Sequence, residues 1–193
     1  WPFGKDLAEA ENMAELAGQK GVRTMVGIQA GSSPTYLRLK ELIEEGYIGE
    51  VLNARMSQFG SGVLSRTSDR TWQSDSTLGA TTLTISFGHT IDIFCHCFGD
   101  FSELSAAVTT EEPQWYETDT QRYVDVTAPD NILVSGRLQG GAWASVHVTS
   151  VRLHSRGFRL EVYGQEGTLV ATSRESPNTG WPKLMGSNTE GKE

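Results

Sequence analysis

Residues 131–150, NILVSGRLQGGAWASVHVTS, decide the fold. Apolar and polar residues alternate on both sides of Gly140-Gly141, which is the period of a half-buried strand. Two such runs around a glycine pair read as a hairpin, Asn131 to Leu138 turning into Ala142 to Ser150. Residues 159–172, RLEVYGQEGTLVAT, repeat the pattern. There Arg159 to Tyr163 and Thr168 to Thr172 flank a turn over Gly164 to Gly167. Consecutive hairpins build an antiparallel sheet. An α+β fold follows, with an open-faced, mostly antiparallel sheet made from the strands after Glu50 and helices on one face. The other face carries Trp143, Ser145, His147 and Thr149 and needs a partner or a ligand to cover it. A second copy of the chain in a symmetric homo-oligomer would do so.

Outward from the hairpins, Asp6 to Lys20 reads as a helix. Asp6 with Glu9 makes a capping box, and Gly21 stops the helix. Leu7, Ala10, Met13, Ala14 and Ala17 form its apolar stripe. Val22 to Ala30, VRTMVGIQA, reads as a strand. Ser33 as N-cap and Pro34 in the first turn open a second helix with Tyr36, Leu39, Leu42 and Ile43 buried and Gly46 at its end. Glu50 to Phe59 alternates as a strand, and Gly60 to Asp75 reads as a polar loop. The domain division is 1–30, 31–172, and a polar tail over 173–193, expected to be poorly ordered. A first residue that is not Met and this polar end suggest a fragment.

Residues 78–99, LGATTLTISFGHTIDIFCHCFG, lead into a third helix over Thr90 to Phe98. His89, Asp92 and His96 follow at spacings of three and four, which put them on one helical face. Asp92 and His96 read best as an internal hydrogen-bond network. Three such residues on one helix are a weak signal for zinc, and no metal site is expected. His89, behind Gly88, suits a general base or a hydrogen-bond donor to substrate, or equally a cap bonded to backbone. Thr81, Thr82, Thr84 and Ser86 form an extended β-branched run or offer hydroxyls to a sugar or a ribose. Trp72, Trp115, Trp143 and Trp181 read as packing or interface residues.

The net charge of −8, with no dense cluster of Lys and Arg, argues against direct binding of nucleic acid or an anionic membrane surface. No apolar run approaches the roughly 20 residues of a membrane helix. Cys95 and Cys97 fit neither a disulfide nor a zinc pair and read as buried thiols. Cytoplasmic residence is expected, and nuclear residence as well for a regulator.

Several stretches together resemble the Gfo/Idh/MocA oxidoreductase family. They are Trp1-Pro2 followed by DLAEAENMAELAGQKGV, then VRTMVGIQA and SPTYLRLKELIEEGYIGEV, then Trp72, Asp75 and Gly79 ahead of His89, and LEVYGQEGTL from Leu160. Within that family, FGHTIDI and QAGSSPTYLRLKELIEEGYIGE are closest to a dehydrogenase-like repressor subgroup of galactose and lactose metabolism. The resemblance implies a remnant of a Rossmann domain over residues 1–30 ahead of the open-sheet domain. It implies NAD or NADP, with Trp1 and Pro2 at the cofactor, His89 catalytic, and Thr84 and Asp92 at a sugar or polyol substrate. It implies, for the repressor subgroup, a transcriptional activator as partner. The chain lacks the Gly-x-Gly-x-x-Gly phosphate turn, so an upstream domain would have to hold the dinucleotide. Two departures stand out. Trp1 falls where the family carries its active-site lysine, and Ile85 falls where it carries an aspartate. Neither side chain moves protons at neutral pH. The expectation is therefore an oxidoreductase-like protein or, alternatively, an inactive dinucleotide-binding regulator.

Overall fold

The hairpins are present at the expected residues. Strands β6 (Asn131–Leu138) and β7 (Trp143–Ser150) pair antiparallel, as do β8 (Gly157–Gly164) and β9 (Gly167–Ser173). The computed structural model describes residues 2–62, 64–151, 153–189 and 191. Strand β1 (Val51–Gly60) lies between the two hairpins, parallel to β7 and antiparallel to β8. Strand β3 (Phe101–Thr109) pairs with β6 at one edge, and β10 (Lys183–Asn188) pairs with β9 at the other. The order is β10-β9-β8-β1-β7-β6-β3, a seven-stranded sheet with a single parallel pair.

Alternation decides which face is core. Ala54 and Met56 of β1, Ala144, Val146 and Val148 of β7, and Phe158, Leu160 and Val162 of β8 all point to one side and are buried. Helices α2 (Pro34–Glu44) and α3 (Gly88–Phe98) cover that side. Tyr36 and Leu39 of α2 join Ile93, Phe94 and Cys97 of α3 in the same apolar cluster. Each large apolar side chain so buried stabilises the fold by about 1.5–3 kcal/mol. The ring of Phe94 stacks on Phe101, which ties α3 to the start of β3.

The opposite face is open, with Trp143 53% exposed. The Arg137 guanidinium sits 4.9 Å from the centre of the Trp143 ring, and the Glu161 carboxylate is held between Arg55 and Arg159. No described helix is long and apolar enough to cross a membrane.

Helix α1 (Leu7–Lys20) has its expected ends. The Asp6 side chain accepts from the Glu9 backbone N–H, and Gly21 closes the helix at φ 63°. Glu9 reaches back to the Lys5 N–H rather than to Asp6. Its apolar stripe, however, is not buried: Leu7 is exposed, and Ala10, Met13 and Ala17 are half-buried. Residues 22–28 are not a strand, contrary to the sequence pattern, and Met25 is 94% exposed. A strand exists through its ladder, and no described strand runs beside this segment.

Two further elements correct the sequence reading. The polar stretch after Ser173 is not a loose tail throughout, since part of it is β10. Its approach is fixed by hydrogen bonds from Gln29 to the Asn178 carbonyl, from the Tyr36 hydroxyl to the Pro177 carbonyl, and from Thr35 to the Pro182 carbonyl. The loop after Gly60 contains β2 (Ser65–Arg66), which joins β4 (Gln114–Glu117) and β5 (Arg122–Asp125) in a small second sheet. Trp115, Val126 and Ala128 are its core.

Gly136 tests the packing of the edge strand. A Cβ there would lie 2.0 Å from the Glu103 carbonyl oxygen and 2.7 Å from Leu104 Cα, both in β3. Gly136→Ala is expected to lower stability by about 1–3 kcal/mol and to raise amide exchange across β3. Gly140→Ala, whose Cβ meets nothing within 4 Å, should leave both unchanged. Chemical denaturation with hydrogen exchange checks this.

Candidate functional site

The segment before α3 is wound, not extended. Residues Leu83–Phe87 form a π-helical turn in which the Phe87 N–H donates to the Thr82 carbonyl. Such turns are rare and concentrate at functional sites. The residue types explain how it is held. The Thr84 hydroxyl donates to the Gly79 carbonyl at 2.6 Å and accepts from the Thr81 N–H at 2.9 Å. The Thr90 hydroxyl lies within hydrogen-bond reach of both the Ser86 carbonyl and Gln58 of β1. Gly79 has φ 77°, and a Cβ on it would sit 2.4 Å from the Lys5 carbonyl oxygen. Only glycine lets residues 2–5 lie this close to the loop. Asp75 caps the next turn by accepting from Thr77, and those bonds hold its carboxyl below the usual range.

His89 sits in the first turn of α3 and is 8% exposed. Its Nδ1 is buried without a hydrogen-bond partner among the described residues. Nδ1 therefore caps no backbone group among the described residues. Burial pushes its pKa below the ordinary imidazole value, and the Asp92 charge opposes that shift. The imidazole is neutral at pH 7. A buried nitrogen left without a partner needs an explanation, and a ligand is one.

The remaining sequence-derived residues separate. Asp92 is half-buried near His89 and makes no hydrogen bond to a described residue. His96 is exposed and lies alongside Gly31. The expected Asp92–His96 network does not form, because one faces the helix start and the other faces the turn at Gln29–Ser32. Thr84 is in place, with its hydroxyl engaged inside the loop. Pro2 is half-buried, and Trp1 lies outside the described residues. Burial pushes the Cys97 thiol up to about 12. Among the described residues no three His, Cys, Asp or Glu side chains group to hold a metal.

The sequence reading missed the neighbour of this turn. Ile85 and Ser86 face a cavity of about 80 Å³ closed on the other side by the small sheet. Arg66, Arg70, Gln73 and Trp115 line it together with Thr82. The Arg66 guanidinium lies 4.9 Å from the Trp115 ring centre and donates to the Gln73 side-chain oxygen. Burial and the like charge of Arg70 push its pKa down. Arg66 and Arg70 four apart in a polar loop were the available signal, but their convergence with Trp115 depends on the pairing of β2 with β4.

The fold and the helix-start histidine define a class, the open-sheet C-terminal domain that dehydrogenases share with a group of regulators. Residues 34–173 match the family model of the Gal80p C-terminal domain, and the chain belongs to that family. It is 30% identical over 144 residues to the dehydrogenase aclE of Aspergillus oryzae, covering 72% of this chain and 39% of that protein. It is 31% identical over 149 residues to the galactose/lactose metabolism regulatory protein GAL80 of Saccharomyces cerevisiae, covering 73% of this chain and 34% of that protein. A super-repressor mutant of that yeast protein superposes with a TM-score of 0.81 at 25% identity, over 96% of this chain and 51% of that one. Levoglucosan dehydrogenase in complex with NADH and L-sorbose shares the fold, with a TM-score of 0.71 at 22% identity, over 94% and 48%. The chain spans less than half the length of the curated relatives it matches.

Glu117 anchors the small sheet that forms one wall of the cavity. Its buried carboxylate accepts from Arg122, Thr120 and Thr71, which push its pKa down to about 2. A depressed carboxylate pKa gives stability that is present above the unfolded value and is lost as pH falls through the folded one. Stability of the small sheet should hold down to about pH 4.5 and decline between there and about pH 2. Glu117→Gln should flatten that part of the profile. Acid titration of the unfolding transition, followed by indole fluorescence, checks it.

Proposed function

We propose that this chain forms the substrate and assembly half of an NAD(P)-dependent oxidoreductase acting on a sugar or polyol, with His89 as its proton-transfer group. The observation that carries this reading is the buried, unbonded Nδ1 of His89 at the start of α3. In alcohol oxidation a carbinol C–H leaves as hydride and the hydroxyl proton goes to a base. The dinucleotide, when bound, supplies the hydride acceptor. The neutral His89 imidazole takes the proton, and Asp92 favours the imidazolium that results. Residues 2–5 against Gly79, together with His89, would border the nicotinamide end. The phosphates need a glycine-rich strand-to-helix turn, which none of the described residues forms.

The domain division supports the same reading. Helix α1 buries no residue of its own, and residues 22–27 are exposed, as expected of a Rossmann remnant at 1–30 that belongs against other strands. The open sheet face would pair with a second copy.

Ile85 favours a second reading, a regulator that keeps the dinucleotide site and binds a transcriptional activator without turnover. It places an apolar side chain where a family enzyme carries a carboxylate, so His89 works without that partner.

Turnover by the full-length protein with NAD(P) and a panel of sugars and polyols decides between them. For an enzyme, His89→Ala should lower kcat by about 10²–10⁴-fold without loss of folding. The acid limb of the kcat/KM profile should lie below the ordinary imidazole pKa and vanish in the variant. Absence of turnover in the wild-type protein, with dinucleotide bound, establishes the regulator reading.

A further inference from the structure

Strand β1 carries a polar side chain where its pattern calls for an apolar one. Ala54 and Met56 point into the core, and the next residue on that face is Gln58. Its neighbours across the sheet, Val148 in β7 and Phe158 in β8, are both buried. An amide in such a row costs free energy unless it is hydrogen-bonded. What it meets is the Thr90 hydroxyl in the first turn of α3, at 2.6 Å. Thr90 is fully buried, and its hydroxyl also lies 2.7 Å from the Ser86 carbonyl oxygen of the π-helical turn. One hydroxyl therefore joins the central strand, the turn and the residue next to His89.

We infer that Gln58 is a positioning residue, acting through Thr90 to fix the His89 imidazole in the first turn of α3. The proton count sets the direction of the chain of bonds. A carbonyl only accepts, so the Thr90 hydroxyl gives its single proton to Ser86. Its oxygen then accepts from the Gln58 amide nitrogen, which the two-fold shape of an amide places at the same point. The π-helical turn breaks the regular ladder just ahead of α3, so these side-chain bonds to β1 set where the next turn sits. The effect on His89 follows from burial. The residue is 8% exposed, and burial disfavours its charged form, while Asp92 is the charge among the described side chains that opposes this. A shift of the first turn admits water to the ring. The catalytic consequence rests on the oxidoreductase reading: the same shift moves the base from the hydroxyl proton, and a displacement of about 1 Å costs up to about 100-fold in rate.

The test uses the full-length protein, with the His89 imidazole titrated by NMR and with kcat and KM measured across pH. Thr90→Val keeps the shape and removes the hydroxyl, and Thr90→Ser keeps the hydroxyl. Gln58→Met removes the amide and suits the apolar row, so the fold should hold. Thr90→Val and Gln58→Met should each bring the His89 pKa up toward the ordinary imidazole value. Where the protein turns over, each should lower kcat about 10- to 100-fold and leave KM nearly unchanged. Thr90→Ser should match the wild-type protein in both measurements. One proton of the Gln58 side-chain amide should exchange slowly in the wild-type protein and quickly in Thr90→Val. A bond that only supports the fold would lower stability and leave the His89 titration unmoved, and that result in both Thr90→Val and Gln58→Met overturns the inference. So does a Thr90→Ser variant that behaves like Thr90→Val. Absence of turnover in the wild-type protein sinks the oxidoreductase reading, while the titration still decides the role of Gln58. Turnover with an unmoved titration leaves that reading standing and removes Gln58 from it.

Discussion

Strand β1 is hydrogen-bonded on both sides, and the rest of the structure depends on that. The hairpins β6–β7 and β8–β9 each present an inner edge whose N–H and C=O groups would be buried without partners. Residues 51–60 satisfy both edges, in parallel with β7 and antiparallel with β8. A parallel pair cannot be closed by a tight turn, so the chain between Gly60 and Trp143 has to leave the sheet and come back. That excursion contains the small sheet, the π-helical turn, α3, β3 and β6. Helix α3 returns over the core face, and the hydrogen bond of Thr90 to Gln58 of β1 pins its first turn. His89, next to Thr90, is placed by the same bond.

The start of α3 is held by short polar side chains used sparingly. Thr84 and Thr81 close the loop on Gly79, and Gly79 in turn admits the backbone of residue 5. Each hydroxyl that folds the loop is unavailable to a ligand. The groups left over are the His89 imidazole and the side chains that line the cavity. The π-helical step widens the helix by one residue, and this lets Ile85 and Ser86 face the small sheet while His89 keeps its place in the regular helix.

Much of this was legible in the sequence, and the physical reason is periodicity. Asn131 to Thr172 alternates with period two around glycine turns, and Pro34 to Gly46 opens on a proline and closes on a glycine at positive φ, so hairpins and helix fall at the expected residues, although the Ser33 hydroxyl does not make the expected cap. Residues 22–30 alternate equally well, yet they form no strand, because propensity without a neighbouring edge does not make a ladder. Strand β10 went unseen for the converse reason. KLMGSN is a poor strand by composition, and it forms because β9 offers an edge and the bonds from Tyr36, Thr35 and Gln29 steer the chain there. His89 was legible as a residue behind a glycine at a helix start. The Asp92–His96 pairing was not decided by spacing, since side chains four apart share a face without having to meet. The arginine cavity was invisible, because it joins residues 66–73, 80–86 and 115 through a small sheet whose strands are two and four residues long.

Ile85, one of the two departures from the family pattern, faces this cavity. Relative to the family pattern it puts an apolar side chain one helical turn before His89. A scaffold shared by dehydrogenases and regulators can move between those roles through changes of this kind. The residues that line the cavity come from the loop and the small sheet as well as from the turn before α3, so a change at position 85 leaves the opposite wall in place.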